Sequence, residues 1–171
     1  PRTIYISFAN LKFQSLQQRV KQDIESDNIF DETRLYTMDW LRTTDFYLEN
    51  KKILDQERYA GWCLWKPYII LENLKKLQDD EILVYMDVGD QPYKGISRFV
   101  INWLKDNEIL ITSGGNCNKS YTKRDTLVFM GCNTEDYWNA SQVEAGFIAL
   151  KKNKFSLKLV KEWLNYCKDE R

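Results

Sequence analysis

Residues 81–95 read EILVYMDVGDQPYKG. The first half, EILVYMD, is an apolar and aromatic run without polar alternation, the pattern of a strand buried on both faces, and it ends at Asp87. The second half is a loop signal punctuated by Gly89, Pro92 and Gly95. Residues 97–106 then read as a helix with Phe99, Val100, Trp103 and Leu104 apolar. A doubly buried strand feeding a loop and a helix belongs to an α/β fold whose mainly parallel sheet is covered on both sides.

The pattern continues in both directions. TIYISFA, residues 3–9, is a second buried strand ending at Asn10, and Leu11, Leu16, Val20 and Ile24 recur after it at helical spacing. Residues 33–36 read as a strand, and residues 39–55 as helical with Thr44 as an imperfect cap. Pro67 suits the first turn of a helix whose apolar face includes Ile70, Leu71, Leu74 and Leu77. Downstream, EILIT reads as a strand ending at Thr112, SGGNCNKS as a polar loop, and Thr122 as the cap of a short helix. A strand VEAGFIAL precedes a closing helix begun by Ser156, with Leu157, Val160, Trp163 and Leu164 facing inward. There is no repeat, linker or low-complexity segment, so the expectation is a single α/β domain, a mainly parallel sheet flanked by helices.

Composition narrows the function. Lys+Arg and Asp+Glu are each 25, so no chain-wide basic field exists to hold nucleic acid, and no nucleic-acid partner is expected. The chain has no histidine, which removes imidazole as base, acid or metal ligand. Cys63, Cys117, Cys132 and Cys167 form no C-x-x-C pair and read as free thiols of a reducing compartment. No apolar run approaches the roughly 20 residues that span a bilayer, and PRTIYISFAN lacks a signal-peptide core. A cytoplasmic domain without a transmembrane segment is expected.

Ligands of open α/β sheets bind beyond the carboxyl ends of the strands. Asp87 is delivered there, and Asp90 follows across Gly89; two hard oxygen donors suit Mg²⁺ or Mn²⁺ carrying a diphosphate. Both also fit as turn aspartates accepting backbone N–H bonds. Lys66, between Trp65 and Pro67 at a helix start, is placed for an anion, with Trp62 and Trp65 as a sugar or base platform; the bland reading is a solvated lysine beside core tryptophans. Gln142 and Glu144 stand at the entrance of VEAGFIAL, able to bond sugar hydroxyls, with Glu144 alternatively a base, or both simply polar residues at a strand start. Residues 122–125, TKRD, bring cations to the same loop layer or face solvent. SGGN lacks the spacing of a phosphate loop, and no G-x-G-x-x-G follows the first strand.

The stretches GWCLWKP (61–67), ILVYMDVG (82–89) and QVEAGFIALKKN (142–153), with TIYISFAN at the start and SLKLVKEWLNYC at the end, resemble GT-A-type, nucleotide-sugar-dependent glycosyltransferases of a bacterial and viral group. The resemblance runs almost end to end. It implies a Rossmann-like GT-A fold and transfer of a hexose from a nucleotide diphosphate sugar, UDP-sugar favoured, to a carbohydrate acceptor in polysaccharide biosynthesis. It implies that Phe8, Ala9 and Asn10 hold the base, that Trp65 and Lys66 serve the donor with Lys66 facing its phosphates, and that Gln142 and Glu144 lie near the transferred sugar. Asp87 marks the D-x-D position, but Gly89 replaces the second acid, leaving Mn²⁺ or Mg²⁺ to Asp87 alone or to an Asp87/Asp90 pair. Asp87 and Glu144 are thus the expected catalytic residues. The resemblance also implies a C-terminal H-x-x-D-Q-type segment, and the 171 residues end before one, so the domain is expected to be truncated there or to have that part replaced. A non-catalytic nucleotide-sugar or carbohydrate-binding module of a larger protein is the alternative, and a structural partner with a Trp-rich interface a third.

Overall fold

The computed structural model describes residues 1–169. Its five strands are β1 (Thr3–Ala9), β2 (Glu32–Thr37), β3 (Ile82–Met86), β4 (Ile109–Cys117) and β5 (Ser141–Lys151). They form one sheet in the order β2-β1-β3-β5-β4. β1 pairs in parallel with β2 and β3, whereas β5 is antiparallel to both β3 and β4. The sheet is therefore mainly parallel with one reversed strand, and that reversal puts the start of β5 beside the end of β3.

Helices cover both faces, as an apolar sheet requires. α1 (Gln14–Ser26) comes first, and the region read as one helix over 39–55 is three short ones, α2 (Met38–Arg42), α3 (Asp45–Glu49) and α4 (Lys51–Leu54). Thr37 caps α2 and Thr44 caps α3 with their side chains, so each cap restarts the helix. α5 (Tyr59–Trp62) leads into α6 (Trp65–Lys76), and α7 (Ile96–Trp103) follows β3. Between β4 and β5 lie α8 (Asn118–Tyr121), α9 (Arg124–Phe129) and α10 (Glu135–Asn139), and α11 (Lys154–Cys167) closes the described chain. Alternation in the strands sorts the core. Ile4, Ile6, Leu83 and Tyr85 pack on α6 and α11, while Tyr5, Ile82 and Val84 pack on α1 and α7.

Three sequence expectations need correction. The segment SGGNC is strand, not loop, because Ser113 and Cys117 pair with Val143 and Ser141 at the start of β5. Thr122 does not cap α9, whose N-cap is Lys123. Leu11 is 81% exposed, in a 3-10 turn before α1 rather than on its buried stripe. The four cysteines are free, and no helix among the described residues is long and apolar enough to cross a membrane.

Candidate functional site

β3 is buried throughout and ends where Asp87 turns out of the sheet. The Asp87 N–H donates to the Gly146 carbonyl at 2.8 Å, and the Asp90 N–H closes a turn on the Asp87 carbonyl at 2.9 Å. One carboxylate oxygen of Asp87, Oδ1, accepts from Lys66 Nζ at 2.9 Å and from the Tyr85 hydroxyl. Lys66 also donates to the Ala145 carbonyl at 2.8 Å and lies over the rings of Trp65 and Tyr85. It is only 6% exposed, so its charge serves Asp87 and not open solvent. The anion that Lys66 faces here is the half-exposed Asp87 carboxylate at the cleft edge.

Lys66 reaches that position through an unusual turn. Tyr59, Ala60, Trp62 and Cys63 take φ of 51°, 51°, 54° and 60°, and Gly61 takes 80°. A left-handed residue other than glycine costs roughly 1–2 kcal/mol. Hydrogen bonds from Gly61 N to Gln56 O (2.8 Å) and from Trp62 N to Arg58 O (2.9 Å) hold the turn, and a Cβ at Gly61 would fall 2.6 Å from the Leu54 Cα. The turn reverses the chain and presents Trp65 and Lys66 to the sheet edge. Trp65 itself stacks on Phe8, ring centroids 3.9 Å apart, inside the core. It packs there instead of offering an open platform; the half-exposed ring of this cluster is Trp62, beneath the Arg58 guanidinium.

The other oxygen of Asp87 points elsewhere. A Cβ built on Gly146 would lie 3.5 Å from Asp87 Oδ2 and 3.4 Å from Asp90 Oδ2, so both carboxylates converge over one glycine. Desolvation first, and then the Asp87 charge, hold the Asp90 carboxyl above its usual range, and Glu144 adds to the rise while Lys66 opposes it. Burial, reinforced by the neighbouring Asp87 charge, pushes the Tyr85 hydroxyl well above its ordinary value, so it stays a donor to Asp87.

Glu144 arrives by a register shift. Ile111 pairs with Ile148, but Thr112 pairs with Glu144, so Ala145, Gly146 and Phe147 leave β4, and Phe147 stays paired with Met86 of β3. The Glu144 side chain lies against Gly114, where a Cβ would fall 2.3 Å from its Oε1. Asp87, Asp90, Glu144 and Thr112 line a cleft of about 780 Å³ with Tyr93 and Phe99 on its wall. Gln142, half-buried two residues before Glu144, does not line it. Phe8 and Ala9 are buried, and Asn10 opens instead onto a neighbouring cleft of about 700 Å³ with Lys12, Asp39 and Arg42. The Asn10 Oδ1 atom is buried without a hydrogen-bond partner.

The structure therefore brings Lys66, Asp87, Asp90 and Glu144 together and puts Asn10 in a second cleft along the same edge. Sequence reasoning missed Tyr85, although its place two residues before Asp87 puts both on one face of the strand. It also missed the Ala145 carbonyl and the aromatic wall.

No protein-family model and no curated protein sequence matches the chain. Among solved structures, it is similar to the galactosyltransferase LgtC in complex with donor and acceptor sugar analogs, at TM-score 0.51 and 11% identity, over 98% of this chain and 66% of that one. A glycosyltransferase involved in the glycosylation of the major capsid of PBCV-1 aligns at TM-score 0.40 and 11% identity, over 96% of this chain and 66% of that one. The likeness to the first is one of fold, a GT-A-like, mainly parallel α/β sheet flanked by helices.

Proposed function

We propose that the chain is the donor-binding domain of a glycosyltransferase that moves a hexose from a nucleotide diphosphate sugar, UDP-sugar favoured, to a carbohydrate acceptor. The observation that supports this reading best is the convergence of Asp87 Oδ2 and Asp90 Oδ2 over Gly146, at the sheet edge of a GT-A-like fold. The donor set fits Mg²⁺ or Mn²⁺: two hard carboxylate oxygens, Asp87 Oδ2 and Asp90 Oδ2, that converge over one glycine. No group of three or more His, Cys, Asp or Glu side chains that could hold a metal occurs among the described residues, so the diphosphate and water would complete the shell. When bound, the metal supplies Lewis-acid stabilisation of the diphosphate.

The chain's own residues do the rest. Lys66 and Tyr85 fix Asp87 through Oδ1 and leave Oδ2 free toward the cleft. Asn10, at the end of β1 on the wall of the second cleft, addresses the base, while Phe8 and Ala9 shape the backbone under it and Trp65 braces that strand end. Glu144 addresses the transferred sugar as a hydroxyl anchor or a base, while Gln142, off the cleft wall, would reach the sugar only from the strand start behind it. The free thiols fit a cytoplasmic setting. A second reading, a non-catalytic nucleotide-sugar-binding module, is favoured by the Lys66–Asp87 ion pair, which already engages one oxygen of the central carboxylate. Release of free nucleoside diphosphate from the sugar donor separates the two.

Isothermal titration with UDP and UDP-glucose tests the proposal. Binding that requires Mn²⁺ is expected in the wild type, and Asp87→Asn abolishes the metal-dependent part. Absence of metal-dependent binding at millimolar ligand would overturn the reading; unchanged affinity in Asp87→Asn would remove Asp87 from the site.

A further inference from the structure

α7 carries two stripes. Ile96, Val100 and Leu104 are buried against the sheet, as an i, i+4 pattern on a covering helix should be. Phe99 and Trp103 form a second stripe that the fold does not bury, at 48% and 45% exposed, with ring centroids 6.4 Å apart. Tyr93, at 59% exposed, joins Phe99 in lining the 780 Å³ cleft that Asp87, Asp90 and Glu144 also line. These rings stand on fixed supports. The loop before α7 is tied to α1 by Gln91 Nε2 donating to Asp23 at 2.7 Å, and Ile96 N donates to the Tyr93 carbonyl at 3.1 Å. Trp103 Nε1 donates to the Ile109 carbonyl at 3.2 Å, which fixes its indole on the start of β4.

A pyranose has an edge of hydroxyls and a face of C–H bonds. The edge suits carboxylates and amides; the face suits the flat, electron-rich face of an aromatic ring. The cleft offers both. A spacing of 6.4 Å between successive rings is comparable to the pitch of neighbouring sugars in a chain. The carboxylates of Asp87, Asp90 and Glu144 would repel an acidic sugar.

We propose that Tyr93, Phe99 and Trp103 form a stacking shelf for a neutral oligosaccharide, at least a disaccharide long, whose terminal sugar enters the cleft beside Asp90 and Glu144. This deepens the glycosyltransferase reading, on which its role as the acceptor site rests; as a carbohydrate site it stands on the geometry alone.

The test is titration of ¹⁵N-labelled protein with lactose, maltose and cellobiose, with glucuronate as the acidic control, and with UDP plus Mn²⁺ in parallel. At least one disaccharide is expected to shift the amides around residues 93–103, more strongly than its monosaccharide or glucuronate. Phe99→Ala and Phe99→Leu should each weaken that binding about tenfold, the loss of roughly one stacking contact, while leaving UDP affinity unchanged. Phe99 is half in solvent, and Phe99→Leu keeps its apolar bulk, so lost binding cannot be lost fold. Tyr121→Ala, an exposed aromatic that lines neither cleft, should bind as wild type. Failure of every disaccharide to shift these amides, or undiminished binding in both Phe99 variants, overturns the shelf. UDP binding without disaccharide binding sinks this inference and leaves the glycosyltransferase reading standing. Disaccharide binding without UDP binding does the reverse.

Discussion

At the scale of single residues, the site turns on what Gly146 leaves open. Its φ lies outside the left-handed region, so alanine fits the backbone there, and the added methyl would meet Asp90 Oδ2 and Asp87 Oδ2 at ordinary contact distances of 3.4 and 3.5 Å. Gly146→Ala should fold with stability within about 0.5 kcal/mol of wild type, because the added methyl meets no clash. It should nevertheless fill the space where the two carboxylates meet. Mn²⁺-dependent UDP affinity is therefore expected to fall by about tenfold or more, read by titration, with urea unfolding as the check on the fold. Unchanged metal dependence would mean that the carboxylates do not share an ion. Part of this geometry was legible beforehand. An apolar strand ending in Asp87, with Asp90 a turn later, placed a carboxylate pair at the sheet edge from sequence alone. Lys66 was legible as a cation near that edge, but not as a buried partner of Asp87, because its approach depends on the left-handed turn from Tyr59 to Cys63. Sequence patterns do not announce left-handed backbone when only one of five residues is glycine.

At the scale of elements, apolar runs revealed β1 and β3, because strands buried on both faces need continuous hydrophobicity. The far half of β4 was hidden for the opposite reason: SGGNC is polar and meets β5 only at Ser113 with Val143 and Cys117 with Ser141, across an irregular register and at half-exposed or exposed positions. The direction of β5 was also illegible, since a strand's composition does not record which way it runs. The Lys152-Asn153 pair shows how one dipeptide couples two elements. Lys152 Nζ donates to the carbonyls of Leu74 at 2.7 Å and Leu77 at 2.9 Å, closing the C-terminal end of α6 with a positive charge. Asn153 Oδ1 accepts from the Ser156 N–H at 2.9 Å and opens α11, so the sequence reading that began this helix at Ser156 marked the residue that receives the cap. α6 carries Lys66 at its other end, so the pair anchors the helix that positions the site. Lys152→Met keeps the buried stem and removes the two charged hydrogen bonds; it should cost roughly 2 kcal/mol. A lower urea midpoint at unchanged slope is the expected reading, and an unshifted midpoint would show that the carbonyls find other donors.

At the scale of the whole molecule, order is distributed unevenly along the edge where the clefts lie. The two core clusters extend under β1, β3, α1, α6, α7 and α11, whereas Leu127 is the one buried residue among positions 118–139. That excursion holds α8, α9 and α10, helices of 4, 6 and 5 residues that are too short to persist on propensity. Its ties to the rest include Asn118 N donating to the Ala140 carbonyl and Phe129 meeting the Tyr166 ring edge-on. Segments with few buried apolar contacts open locally at low free-energy cost, and proteolysis samples such openings. Other exposed basic sites are better held. The loop bearing Lys94 is tied to α1 through Gln91, and Lys51 and Lys52 flank the buried Leu54. Brief trypsin treatment under native conditions should therefore cut first, away from the chain ends, at Lys119, Lys123 or Arg124, with fragment masses locating the bond. The two halves should remain associated by size exclusion, because β4 and β5 stay paired across the cut. First internal cleavage within α1 or α6 would contradict this ordering of local stability, since it would require the packed faces of the sheet to open before the excursion does.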